Sequence, residues 1–179
     1  MLGVLGILLL VSACGASDDG NGDQDDRDGG EKVSYESVKT SVDDLTAKLL
    51  PALASTLDGA FPLVRGQFTE CGVGPRNQKY SVRGELHSQV ADDAEAAKSI
   101  RVVLADAGLD VTISDDQTVK GSIDGTDVVV APSIGRPVGG AVIRSFSVDS
   151  TCRSFSADDA EAMRTTPPEE YGSPVTAAP

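Results

Sequence analysis

The sequence predicts an α+β domain: two layers, with a mainly antiparallel sheet of about five strands and two helices packed on one face. Three observations carry this. An apolar stripe of helical period runs through residues 34–57. A second helical pattern occupies 92–108. Most remaining apolar residues alternate with polar ones in short runs joined by tight turns, as strands of half-buried antiparallel sheets do.

In the first helix Val38, Val42, Leu45, Leu49, Leu53 and Leu57 recur at steps of three or four. Pro51 lies inside this stripe and is expected to kink or split it, because proline lacks the N–H that would close a helical turn. Residues 60–79 show no clear period and hold Pro62, Gly66, Gly72, Gly74 and Pro75, which reads as a long loop. Residues 80–88 alternate, with Tyr80, Val82, Gly84 and Leu86 on the inner side and Ser81, Arg83, Glu85 and His87 outside. Asp92 followed three residues later by Glu95 forms a start signal for the second helix. Its apolar face is Ala97, Ile100, Val103, Leu104 and Ala107, and Gly108 ends it.

Strands then follow closely. Leu109, Val111 and Ile113 alternate, and Asp115-Asp116 turns the chain. Val119, Gly121 and Ile123 alternate, and Asp124-Gly125 offers a two-residue hairpin turn. Residues 128–131 continue the sheet, 132–140 read as a flexible loop, and 141–152 form a last strand with Val142, Phe146 and Val148 inward. Such hairpins favour antiparallel pairing with helices on one face.

The N-terminus speaks to location. Residues 2–11 are apolar, a run of about ten where a membrane-spanning helix needs roughly 20. Together with Ser12-Ala13-Cys14 it resembles a signal peptide ending in the lipobox of bacterial lipoproteins. That resemblance implies removal of residues 1–13, diacylation of Cys14 and membrane anchoring on the extracytoplasmic face of the cell membrane. Two acyl chains suit stable anchoring, since one holds a membrane only marginally. No Lys or Arg precedes the apolar run, as signal peptides normally require, so the start codon is expected upstream.

Residues 14–32 follow as an acidic, Gly- and Asp-rich tether with nothing to bury. A single domain is expected over 33–156, and a short helix with a disordered Pro-rich tail over 157–179. In an exported protein Cys71 and Cys152, the pair left beside Cys14, are expected to form a disulfide. Because Cys71 precedes the strand at 80–88 and Cys152 ends the last one, those two strands are expected to lie side by side.

The whole plan resembles small actinobacterial cell-envelope lipoproteins of uncharacterised function. The resemblance rests on the lipobox, the tether, and a helix–strand–helix–hairpin order ending in Val148-Asp149-Ser150-Thr151-Cys152. It implies location and architecture, and no activity.

Composition narrows the function. A net charge of −13 argues against nucleic-acid binding, which depends on Lys and Arg against phosphates. Aromatic residues make up 4% with no Trp, leaving few rings for ligands to stack on. The serine nucleophile elbow, the Ser-x-x-Lys pair and the phosphate-binding glycine loop find no match. His87, the single histidine, falls on the outer side of a strand with no nucleophile or orienting partner suggested by spacing. No catalytic residue, metal site or cofactor is therefore assigned. The spacing Asp19-x-Asn21-x-Asp23 echoes the start of a calcium loop, but Gln24 stands where glycine is required and Gly30 where the bidentate Glu belongs.

ADDAEA occurs at 91–96 and again at 157–162, each read as a helix start that arose separately. Arg65, Arg76 and Arg136, in the two long loops, are candidate contacts for an anionic ligand or partner. The expectation is a non-catalytic binding or accessory module of the envelope, engaging an envelope protein or a lipid. The alternative is a carrier of a lipid or small molecule in an apolar cavity, and an enzyme is the least favoured reading. Oligomeric state is left open.

Overall fold

Ser34 starts the first helix: its hydroxyl accepts from the Ser37 N–H at 3.2 Å, satisfying a donor that a helix start leaves free. This helix, α1, runs over Tyr35–Thr56 and buries Val38, Val42, Thr46, Leu49, Leu50, Leu53 and Ala54. It is not split at Pro51. The proline and Ala47, whose carbonyl loses its N–H partner, both sit at exposed positions where water can reach.

The computed structural model describes residues 33–135, 140–172, 175 and 176. Cys14, the apolar leader, the acidic tether with its calcium-like spacing, and Arg136 lie outside them. The unit containing the described residues begins at Val33.

After α1 come β1 (Gly59–Phe61), β2 (Val64–Glu70) and β3 (Asn77–Ser88), then α2 (Asp93–Asp106). Next are β4 (Asp110–Ile113), β5 (Val119–Ile123), β6 (Thr126–Gly135) and β7 (Val142–Ser150). The chain closes with β8 (Arg153–Ser154), α3 (Ala157–Thr165), β9 (Glu169–Glu170) and β10 (Val175–Thr176). The strands form one sheet in the order β10-β1-β3-β7-β6-β5-β4, with β2 and β8 also pairing β3, and β9 pairing β2. Every pairing is antiparallel.

The α+β class and antiparallel sheet are thus as expected, but among the described residues there are ten strands and three helices. The region 60–79 is no long loop: it holds β1, β2 and a tight turn. β2 alternates as a strand should, with Val64, Gly66 and Phe68 turned inward. Gly66 is required there, because a Cβ would collide with the hydroxyls of Tyr80 and Tyr171. The ordered unit also passes residue 156. β9 pairs Arg65 with Glu170 and Gly66 with Glu169, and β10 pairs β1.

A single core joins the helices to the inner sheet face, including Leu49 and Leu53 of α1, Ile100 and Leu104 of α2, Met163 of α3, and Val82, Val128, Phe146 and Val148. The other face carries polar side chains toward water, the usual state of a half-covered antiparallel sheet. Asp124 and Gly125 both have positive φ, 46° and 75°, forming the twisted two-residue turn that joins β5 to β6. Cys71 and Cys152 are bonded, with Cα atoms 5.8 Å apart, and β3 pairs β7 from Ser81↔Asp149 to Ser88↔Val142. The expected disulfide and strand neighbours are both present.

The two ADDAEA copies start helices in different registers. In α2 the cap is Asp92 inside the motif, accepting from Glu95 N–H at 2.8 Å. In α3 it is Ser156 before the motif, accepting from Asp159 N–H at 3.1 Å.

Candidate functional site

The solvent-facing side of the sheet is built by register. Two rows of outward residues cross it side by side. One reads Arg65, Arg83, Ser147, Val129, Lys120, Thr112 from β2 to β4. The other reads Gln67, Ser81, Asp149, Asp127, Ser122, Asp110. The first row carries three cations and the second three carboxylates.

Asp149 is the hub. It accepts from Ser81 Oγ at 2.6 Å, from Arg83 Nη1 and Nη2 at 2.7 and 2.8 Å, and from Lys79 Nζ at 3.0 Å. Burial pushes its carboxyl up, but bonds from Ser81, Arg83 and Lys79 outweigh this and hold it below the ordinary carboxylate range. Its stabilising effect is therefore complete above about pH 4 and lost as pH falls through the lowered value. Asp149→Asn is expected to cost about 1–2 kcal/mol at pH 7 and much less at pH 3, as read by urea unfolding at both values.

Two pairs in these rows set like charges at facing positions. Arg65 faces Arg83, and Asp127 faces Asp149. Like charges directly opposite destabilise a sheet. Arg65 is answered by Glu170, whose Oε1 accepts at 2.9 and 3.1 Å. Asp127 is exposed and makes no ion pair among the described residues.

The expected site residues separate. Arg65 lies on β2 and not in a loop, and belongs to this face. Arg76 sits in the turn between β2 and β3 near the disulfide; its side chain is exposed, and its carbonyl accepts from Phe155 N–H at 3.0 Å. Arg136 lies outside the described residues. His87 is on the outer face, 3.6 Å from Glu85.

Two further polar clusters lie elsewhere in the domain. Arg144, 1% exposed, donates to Ser88 Oγ at 2.9 Å and to Asp93 Oδ1 at 2.7 Å. Its signal was available: it shares inward parity with Val142 and Phe146. The other cluster joins Lys39 and Asp43 of α1 to Tyr80 and Tyr171. Lys39 Nζ donates to Asp43 at 2.5 Å and lies 5.4 Å from the centre of the Tyr80 ring. No spacing rule links position 43 to position 171.

Among the described residues no group of three His, Cys, Asp or Glu side chains converges as metal ligands would. A depression of about 90 Å³ lies between Ser37 and Ser41 of α1 and Asp124, Thr126, Ser150 and Arg153. Its lining is mixed, with Val33 and Val38 beside the polar groups, and it is far below the roughly 300–1,000 Å³ of small-molecule sites, so it gives the carrier reading little support. No helix among the described residues is long and apolar enough to cross a membrane. No protein-family model, curated protein or solved structure matches this chain.

Proposed function

We propose that this protein is exported, anchored to the cell membrane through a lipid on Cys14, and acts there as a non-catalytic binding module. Its partner is an envelope protein docking on the outer sheet face. The observation that carries the docking surface is the pair of adjacent rows, basic and acidic, on a face that no helix among the described residues covers. Asp149 is already answered by Arg83 and Lys79, whereas the exposed Asp127 opposite it makes no ion pair among the described residues. A partner presenting a cation there would pair with it, and such charge matching sets register and partner choice.

Asp127→Asn is then expected to leave stability within about 0.5 kcal/mol, read by urea unfolding, while weakening partner capture. Crosslinking in the native envelope, followed by mass spectrometry, should recover one protein with the wild-type chain and lose it with Asp127→Lys. Equal recovery by both chains, or recovery of none, would reject the docking face. The anchor is tested separately. Cys14→Ala should move the protein from the membrane fraction to the soluble fraction, and a variant that stays with membranes would refute lipidation.

A further inference from the structure

The segment after α3 lies across the outer edge of β2 in a way that describes what that edge can bind. Pro167-Pro168 hold the chain extended. Glu169 then pairs with Lys39, and Glu170 with Arg65. The Tyr171 N–H donates to the Val64 carbonyl at 3.1 Å. Its hydroxyl donates to the Asp43 carboxylate and lies 3.1 Å from the Tyr80 hydroxyl. Burial first, and donation to Asp43 next, push the Tyr171 phenol well above its ordinary value, so it remains a donor.

The receiving groove is more specific than a tail needs for mere attachment. Gly66 leaves the space in which the two phenols meet, since any Cβ there would strike both. Lys39 and Asp43 of α1 lie on the inner side of the β2 edge, Arg65 on its outer side, and the Val64 carbonyl at the edge itself. The backbone hold at the groove itself is slight, β9 being two residues long, and the segment is held again only farther on, where β10 pairs β1. Glu169, Glu170 and Arg65 are about half exposed, at 47%, 58% and 57%, and exposed ion pairs contribute little.

We infer that the groove formed by Lys39, Asp43, Arg65, Gly66 and Tyr80 is a peptide-binding site that the chain's own Glu169-Glu170-Tyr171 segment occupies as a displaceable latch. The partner it fits is an extended segment of another protein carrying two consecutive carboxylates followed by a tyrosine. Such a segment adds to the β2 edge as a strand, the mode in which backbone bonds supply affinity and side-chain pockets supply specificity. The latch competes at the high effective concentration of an attached segment, so the groove of the resting protein is closed to weak ligands. This site shares Arg65 with the outer-face rows, but its other residues lie off them, and it does not depend on the anchor.

The test uses the full chain and a fluorescein-labelled peptide copying residues 166–172. A chain carrying Glu169→Lys, Glu170→Lys and Tyr171→Ala keeps its length but lacks the latch side chains. By fluorescence anisotropy it should bind the peptide at least tenfold more tightly than the wild-type chain. Adding Lys39→Glu, or replacing the peptide's tyrosine by alanine, should remove that gain. Equal binding to the latch-disabled and wild-type chains would overturn the proposal, as would unfolding of the latch-disabled chain by circular dichroism. A second measurement needs no variant. In wild-type protein the Tyr171 amide should exchange with deuterium at least 100-fold faster than the Val82 and Phe146 amides of the sheet centre. Exchange of all three at one global rate would make the segment a fixed part of the fold and end the latch reading.

Discussion

Asp93→Ala is expected to destabilise the domain by about 3 kcal/mol, more than the loss of an ordinary surface carboxylate. Asp93 opens α2, and its carboxylate accepts from Arg144 Nη2 at 2.7 Å and from the Ser133 hydroxyl and N–H at 2.8 and 3.1 Å. Removing it leaves a guanidinium that is 1% exposed without its counter-charge, and a buried charge so stranded typically costs about 3–5 kcal/mol. The low end applies because Asp93 itself is 32% exposed, so water can partly enter. The reverse change is milder. In Arg144→Leu the Asp93 carboxylate keeps its Ser133 bonds and reaches solvent, and an apolar side chain fills an inward position beside Val142 and Phe146.

The decisive comparison is the double variant Asp93→Ala with Arg144→Leu. It should be more stable than Asp93→Ala alone, since the stranded charge is gone. Urea unfolding followed by far-ultraviolet circular dichroism reads this, the chain having no Trp. A double variant no more stable than the single would show that Asp93 acts through its Ser133 bonds and helix start, not through Arg144. The pH response has a definite sign. Burial raises the Asp93 carboxyl, but Ser133 and Arg144 lower it further, and its pKa lies below the ordinary value. Its contribution is present above about pH 4 and is lost as pH falls through the lowered pKa.

Loss of the disulfide should be the larger effect. Cys71 and Cys152 are separated by 81 positions, and closing a loop of that length removes about 4 kcal/mol of chain entropy from the unfolded state. Cys152→Ser, or reduction of the wild-type protein, should lower the melting temperature by roughly 10–15 °C. The bond also ties the turn before β3 to the end of β7, where Cys71 N–H donates to the Asn77 carbonyl at 2.9 Å. Arg76 and Val73, exposed in that turn, should therefore lose order before the central strands do. Melting curves that coincide with and without reductant would reject the predicted stabilisation.

Much of the architecture was legible because it depends on local pattern. The stripe from Val38 to Leu57 can bury its apolar residues only as a helix against a layer. Asp92, Gly108 and Asp124-Gly125 are chemically suited to a cap, a helix stop and a hairpin turn. β2 is not legible in this way because Gly66 stands at its inward centre, where a strand pattern calls for an apolar residue. The reason for that glycine, the meeting of Tyr80 with Tyr171, spans 91 positions. Pro51 does not split α1. Its penalty is real, yet the freed carbonyl faces water and the stripe on the opposite side of α1 outweighs it.

What the sequence determined alone was the class of fold, the disulfide partners and the helix boundaries, because each follows from periodicity, from counting cysteines, or from side chains bonding a backbone three residues away. Tertiary structure decided which charges meet. Arg83 reaches Asp149 across 66 positions, Arg144 reaches Asp93 across 51, and Tyr171 reaches Asp43 across 128. Strand register and the path of the final segment place these groups, and neither is set by any local pattern, since an ion pair has no sequence period of its own.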